Sequence, residues 1–435
     1  MLSSVASREQ QAIEEISARN DEPYWLLQHR LKASCLYGDM MLPTGQEEEW
    51  RRTDLRAANV DGLDLSAEPS IAAAEAPSRD EEGYGGHIVQ QDGLTLDRQL
   101  TGDIERQGVV FSDLHAAARE QPELFRAHFM TEAVQPIAWK LVALHAALWR
   151  GGVFLYAPAG ANISVPLHAR VGAADAEAIF PHTLVVAEEG STVTLVEEHD
   201  SDESGRHRFG SGVVEILVRR GAAVRYVGAQ DWSRRANAFA TIRAIVGEEG
   251  KLELGLVATG GSISKTNVEV ILSAPGASAS IAGLFLASGE QHMSYVTLQD
   301  HRARSTTSDL LLKSAIKDSA QLVWNGLTRI RRGAGESDAN QTSRNLLLGE
   351  NARVAPIPVL EIEAYDVARC SHGATVSSVD EEQLYYIMSR GLSRREATEA
   401  IVDGFFREGL DRLGPVRAHD FIGRVLERRL VAKAA

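Results

Sequence analysis

Two cysteines, Cys35 and Cys370, are all that this 435-residue chain contains. A pair so far apart offers no disulfide framework and suits a reducing compartment. Excess positive charge is also missing: 45 Lys and Arg stand against 60 Asp and Glu, for a formal charge of -15. Phosphate neutralisation needs a basic face, so nucleic acid is excluded as the main partner. There is no long apolar run. The most apolar stretch, residues 134–158, is broken by Lys140, His145 and Arg150, short of the roughly 20 residues a membrane-spanning helix needs. The first twenty residues are polar and acidic, without the apolar centre of a signal peptide. The expectation is a cytoplasmic protein with no membrane contact.

What is present is ordinary for a folded chain, with 44% hydrophobic and 24% charged residues. The length allows two or three domains, or one elongated repeat domain with appendages. Residues 1–60 read as helical, with an acidic amphipathic stretch at 10–17 and helical spacing of apolar residues at 24–36. Residues 65–86, rich in Ala, Pro, Ser and acids and ending Gly83-Tyr84-Gly85-Gly86, read as an exposed linker, placed at about 65–90. A second helical part follows at 113–149, with Leu141, Leu144, His145 and Leu148 on one face. The division is therefore a mainly helical region 1–150, a β core 151–372 and a C-terminal helical domain 373–435.

From Gly151 the period changes to short β-branched and apolar runs separated by tight turns. One strand-turn-strand unit recurs, starting at Leu184, Glu215, Ala244 and Val270, with Gly190, Gly221, Gly250 and Gly276 at the turn. Two degenerate copies, at 310–324 and 346–357, carry Asp318 and Asn351 there. Gly, Asp and Asn tolerate positive φ, so all six units are expected to make the same turn. One such rung cannot bury its own apolar face, so stacked rungs must share a core, giving a parallel β-helix or similar solenoid. A large β-sandwich with irregular hairpins is the alternative for the same pattern.

After Cys370 helical signals return. Asp380 with Gln383 makes a capped start before residues 384–387, and Gly391 marks a stop. Ser393 with Glu396 forms a second capping box, leading into Ala397, Ile401, Phe405 and Phe406. Pro415 opens an expected third helix carrying Phe421, Val425 and Leu426, with Arg428 and Arg429 at its end. Such an apolar stripe serves either core packing or a partner.

Few residues point to chemistry. Lys265-Thr266 after Gly260-Gly261 lacks the glycine a phosphate loop requires, since Ser264 precedes the lysine; a loop between rungs is expected. The acidic stretch Glu197, Glu198, His199, Asp200, Asp202, Glu203 and His207 could hold a divalent cation but reads more simply as solvated charge. Glu361 and Glu363 share one face of a strand, as the acid and base of a carbohydrate-active β-helix enzyme would. Cys370 and His372 also project on one side of an extended segment, and thiolate and imidazole are ligands that iron and iron-sulfur species accept. Two ligands do not complete a site; the rest must come from elsewhere in the fold or from another chain.

Longer motifs carry a resemblance. Asn340-Gln341-Thr342-Ser343-Arg344-Asn345, Pro358-Val359-Leu360-Glu361-Ile362, Asp366-Val367-Ala368-Arg369-Cys370-Ser371-His372-Gly373 and Asp380-Glu381-Glu382-Gln383-Leu384-Tyr385-Tyr386 closely resemble the SufB/SufD family of iron-sulfur cluster assembly proteins. Glu48-Glu49-Trp50-Arg51-Arg52-Thr53-Asp54 and Gln230-Asp231-Trp232 agree with it. The resemblance implies a mainly β fold, a right-handed parallel β-helix flanked by N-terminal and C-terminal α-helical regions. It further implies a non-catalytic scaffold that pairs with a SufB-type paralogue and docks a SufC-type ABC ATPase through its C-terminal helices, at Ile401, Phe405 and Phe406. Sulfur would come from a cysteine desulfurase system, and ATP hydrolysis would occur in the partner. In the SufB type, the position of Ser343 resembles the scaffold cysteine and the segment at 371–373 reads Glu-His-Glu, so this chain resembles SufD. By that likeness His372, with Cys370 as a second candidate, would reach a transient iron-sulfur cluster shared across the dimer interface. A self-associating adaptor without a metal role remains the other alternative. Nothing in the sequence assigns a flavin.

Overall fold

The computed structural model describes residues 2–54, 56, 83–201, 208–414 and 423, with side chains in the first helix from Gln10 onward. The linker residues 65–82, Asp202, Glu203, His207 and the expected helix after Pro415 therefore lie outside the described residues. The fold is mainly β, a parallel solenoid with helices on both sides. One sheet runs in the order β2-β1-β5-β8-β10-β12-β14-β16-β18-β20. Its members are β1 Gly86–Gln91, β2 Leu94–Leu100, β5 Leu167–Ala173, β8 Thr192–Ser201, β10 Ala223–Asp231, β12 Lys251–Ala258, β14 Ser278–Ala287, β16 Thr307–Ile316, β18 Asp338–Leu347 and β20 Arg369–Ser378. The facing sheet runs β19-β17-β15-β13-β11-β9-β7-β4-β3, with β6 (Ala178–Ile179) beside β9. It holds β3 Val110–Asp113, β4 Gly152–Ala157, β7 His182–Ala187, β9 Arg208–Val218, β11 Ala236–Val246, β13 Ile263–Leu272, β15 His292–His301, β17 Gln321–Ile330 and β19 Arg353–Ile362.

The register explains why the repeats are visible in sequence. Ala223 pairs with Lys251, Lys251 with Ser278, Ser278 with Thr307, Thr307 with Asp338 and Asp338 with Arg369. Equivalent residues stack in columns, and period 2 points every second column inward. One inward column reads Leu195, Tyr226, Leu254, Ile281, Leu310, Gln341, His372. All but the last are buried, each large apolar member contributing about 1.5–3 kcal/mol of burial free energy.

The turns follow the expectation at Gly190, Gly221, Gly276 and Asp318, all at positive φ. At the third unit Glu249, at φ 52°, takes that conformation in place of Gly250, and Asn351 stays out of it. Lys265 sits within β13, not in a loop.

Two boundaries differ from the sequence reading. Gly86, read as linker, begins β1, and β1 and β2 form an antiparallel hairpin that pairs on to β5. At the far end β20 continues to Ser378, six residues beyond 372 by subtraction, because its backbone still pairs with β18.

On the outer face of the second sheet lie α1 (Leu2–Arg19), α2 (Tyr24–Asp39), α4 (Leu114–Glu120), α5 (Pro122–His128) and α6 (Lys140–Leu148), most of them packed on Phe154, Leu184, Phe209, Leu217 and Phe239, whereas α3 (Gly102–Glu105) sends Ile104 into the solenoid core beside Ile88 and Ile163. Arg30 is fully buried; it donates to the carbonyls of Ala147 and Trp149 and pairs with Glu22 at 2.6 Å. Burial alone would raise the Glu22 carboxyl, yet Arg30 and His115 hold it down to about 2. A chain of polar groups joins this layer to the sheet: His145 Nδ1 lies 2.6 Å from the Ser211 carbonyl, His145 Nε2 3.0 Å from His182 Nδ1, and His182 Nε2 3.2 Å from Glu215. Burial pushes both imidazoles down and Glu215 up to about 8. With both rings neutral the protons order themselves: His145 donates to Ser211, His182 donates to His145, and a protonated Glu215 donates to His182.

Farther along the second sheet, Trp50 lies tilted against Trp139 and beneath the Lys265 ammonium at 4.4 Å. Lys265 Nζ also donates to the Glu49 carbonyl, which pins the segment around Trp50 to β13.

The C-terminal hairpin of α7 (Glu381–Met388) and α8 (Arg394–Arg412) covers the outer face of the first sheet. Asp380 caps α7 by accepting from the Glu382 and Gln383 amides, Ser393 and Glu396 form the capping box, and Gly391 turns at φ 99°. Val402, Phe406, Leu410 and Leu413 pack on Val257, Ala282, Leu284 and Leu286. Lys313 donates to the Phe405 carbonyl and pairs with Glu408, Arg344 pairs with the same Glu408, and Arg412 pairs with Asp309. No helix among the described residues is long and apolar enough to cross a membrane.

Candidate functional site at the open end of the solenoid

The last rung is the informative one. Among the described residues, β20 pairs with β18 and β19 with β17, and neither has a strand on its other side. A row of unpaired amides and carbonyls on two ten-residue edges is a template for another chain, and a solenoid without a polar cap leaves its inward columns open. Val359 and Ile362 on β19 and Val376 on β20 are each more than 40% exposed.

Cys370 and His372 occupy inward columns of this rung, above Ala339 and Gln341. They alternate with Ser371, which points outward and donates to Asn340 Oδ1 at 2.9 Å. His372 is exposed, although the residues below it in its column are buried, because none of the described residues covers the end. It has no hydrogen-bond partner among the described residues. Cys370 is half-buried against Ala339 and Val367. Burial first, and then the Asp338 carboxylate, push its thiol up, which disfavours the thiolate in the free chain.

Ser343 sits one rung below, fully buried, where Asn345 Nδ2 donates to its hydroxyl at 2.9 Å. It is no thiol and no ligand-bearing surface; it belongs to a polar patch in which Ser314 also donates to Asn345 Oδ1. The column Leu310, Gln341, His372 thus turns from apolar to polar as it nears the open end.

Other sequence candidates fall apart. Glu361 pairs with Arg329 at 2.9 Å and Glu363 lies past the end of β19, so no acid-base pair shares that strand. Phe406 is not available to a partner: it is fully buried against the chain's own sheet, with Ile401 and Phe405 half-buried beside it. The helical stripe was legible, but the surface that covers it is intramolecular. What α7 and its following turn leave exposed is Tyr385, Tyr386 and Leu392. Among the described residues no group of three or more His, Cys, Asp and Glu is placed to hold a metal ion.

The acidic stretch is not simply solvated. Glu197 points inward from β8 and is fully buried, accepting from Thr183 Oγ1 at 2.6 Å and Tyr226 Oη at 2.7 Å, with His199 Nε2 at 3.1 Å. Burial raises its carboxyl, but His199, Thr183 and Tyr226 together bring it below the ordinary carboxylate value. Period 2 from Val193 and Leu195 was the signal that placed Glu197 inside.

The fold is a parallel β-solenoid whose last described rung leaves two strand edges unpaired and presents an imidazole and a thiol. The sequence matches the family described as "SUF system FeS cluster assembly, SufBD core domain" over residues 170–405. It is 31% identical to the iron-sulfur cluster assembly protein SufD of Bacillus subtilis (strain 168), over 99% of each chain. It is 30% identical to an iron-sulfur cluster assembly SufBD family protein of Staphylococcus epidermidis, and equally to SufB of Bacillus subtilis, in each case over 90% of this chain and 87% of the relative. The chain belongs to the SufB/SufD family, as a SufD-like member.

Proposed function

We propose that this chain is the SufD-type scaffold subunit of an iron-sulfur assembly complex, and that its open end pairs with a SufB-type paralogue. The observation that carries this reading is the exposed His372 in an inward column of an uncapped rung, beside two free strand edges. Strand addition by the paralogue would extend both sheets and enclose His372, with Cys370 beside it. The nascent cluster is cargo: His372 supplies an imidazole ligand or orients one, and the paralogue supplies the thiolate that Ser343 does not. The chain is a non-catalytic, cytoplasmic scaffold. Its sulfur comes from a cysteine desulfurase system, and ATP hydrolysis occurs in a SufC-type ABC ATPase docked on the C-terminal hairpin through Tyr385, Tyr386 and Leu392. Nucleotide-driven closure of two ATPase subunits would pull on α7 and α8, and a solenoid whose rungs move as one body would carry that motion to the interface.

Co-expression with the paralogue and the ATPase tests assembly; failure to isolate a stable complex would refute the lever. His372→Ala leaves folding and assembly unchanged, because the ring has no hydrogen-bond partner among the described residues, and lowers iron and sulfide content after anaerobic reconstitution. Unchanged content refutes the ligand role.

A further inference from the structure

The two ends of the solenoid are built differently. At the first rung both outermost strands run against their neighbours: β2 is antiparallel to β1 and β3 is antiparallel to β4, whereas the pairs that follow, β1 with β5 and β4 with β7, are parallel. β3 has only four residues, and the β1-β2 ladder shifts register between Val89 and Gln90. Short edges and register breaks are means by which a sheet refuses a further strand. At the last rung the edges β19 and β20 are ten residues long and parallel to their neighbours.

Side chains close the core at the first rung. Arg98 on β2 stands opposite Ile88, in an inward column that runs on to Ala169. Its guanidinium donates to Ser112 Oγ on β3 at 2.6 Å, which joins the two sheets across the end of the core. The connection from β2 to β3 adds a plug: Ile104 of α3 and Val109 enter the core beside Ile88 and Ile163, and Gln107 Oε1 accepts from the Asn162 amide at 2.9 Å. Thr95, Arg98 and Gln99 are exposed on β2. A terminal repeat with a polar outer surface keeps apolar columns from stacking on another copy.

In a solenoid of parallel rungs, the last rung of one copy is the geometric complement of the first rung of another, and a head-to-tail contact that does not close on itself generates a filament. Docking a last rung here would bury the Arg98 guanidinium under a second core, which is costly without a paired charge. We propose that β2, β3 and α3 form a stop that keeps the first rung from accepting the open last rung of a second copy, so that chains joined through their open ends never grow beyond two solenoids. Arg98 is the lid of the stop, and Ile104 holds α3 in place. This rests on the open end being a pairing surface, and it adds that the opposite end is closed to the same contact.

Sedimentation velocity of the full chain across a concentration series tests it. The parent is expected never to exceed the mass of two chains. Arg98→Val with Ile104→Ala removes the bridge and loosens the plug; its weight-average mass is expected to rise with concentration past that of two chains, and adding Val376→Lys at the open end should abolish the rise. Should this variant lose the parent's circular dichroism spectrum, Arg98→Val alone takes its place, with the same expectation. Growth of the parent past two chains, a folded variant that stays at two or fewer, or growth that survives Val376→Lys would each overturn the proposal. Hydrogen exchange of β19 and β20 in complex with the paralogue separates this from the open-end reading: protection there beside a variant that does not grow means that the stop is wrong and the pairing stands, whereas no protection sinks both.

Discussion

Replacing Phe406 by Ala separates the two roles that its stripe on α8 could serve. The phenyl ring is fully buried against Leu284 and its neighbours on the first sheet. Deleting a buried Phe side chain removes about 3–5 kcal/mol, the sum of lost transfer free energy and the cavity left behind. The polar latches from Lys313, Arg344 and Arg412 remain, each with a partly exposed carboxylate partner, and surface ion pairs contribute only about 0–1 kcal/mol each. The loss therefore falls on the docking of α8, and its opening equilibrium should rise about a hundredfold or more. Hydrogen exchange on the free chain reads this directly as faster exchange of α8 amides, with the solenoid core strands unaffected. A rise below about tenfold would refute the packing and return Phe406 to the partner-facing role that the sequence suggested. Tyr386→Ala, at an exposed site, should leave exchange in the free chain unchanged while weakening capture of the ATPase.

Gly409→Ala should destabilise α8, although Ala ordinarily improves a helix interior by about 0.5–1 kcal/mol, because the added methyl would run into Leu284 Cδ2; a higher Tm would contradict the tight helix-sheet approach. Burial holds Glu215 up to about 8, against an ordinary value of 4.5, so the folded chain keeps a proton that the unfolded chain releases between those values. Its contribution is full below about pH 4.5 and is lost as pH rises through 8. Glu215→Gln cannot ionise, but its NH2 group cannot accept from a backbone amide as the acid oxygens do from Met130 and Val134; in thermal melts the parent should be the more stable near pH 5 and that advantage should shrink toward pH 9, whereas an advantage constant from pH 5 to 9 would show that Glu215 does not hold its proton in that range.

The repeat was legible because each rung reuses one local turn, and residues such as Gly190, Gly221 and Asp318 advertise positive φ. The β1-β2 hairpin was missed although Asp92-Gly93 marked it. Both residues adopt positive φ, at 51° and 85°, which is the geometry a two-residue hairpin turn favours. The acid-rich composition just before it masked the change of period. Glu197 was read as solvated because charge outweighed alternation in that reading; the hydroxyls that make its burial tolerable come from Thr183 across the turn and from Tyr226 on the next rung, and neither can be seen locally. Phe406 shows the same limit for helices, since a stripe tells which face is apolar but not what covers it. His372 was found through family motifs. That it stands in the column of Leu310 and Gln341 follows only from the register, and the register is a long-range property.

The most direct test of the open-end assignment is hydrogen exchange on β19 and β20 in the free chain and in complex with the SufB-type paralogue. Strand addition predicts that amides within Arg353–Ile362 and Arg369–Ser378 become protected on complex formation, together with solvent exclusion at His372. A stable complex that leaves both segments exchanging as in the free chain would contradict it.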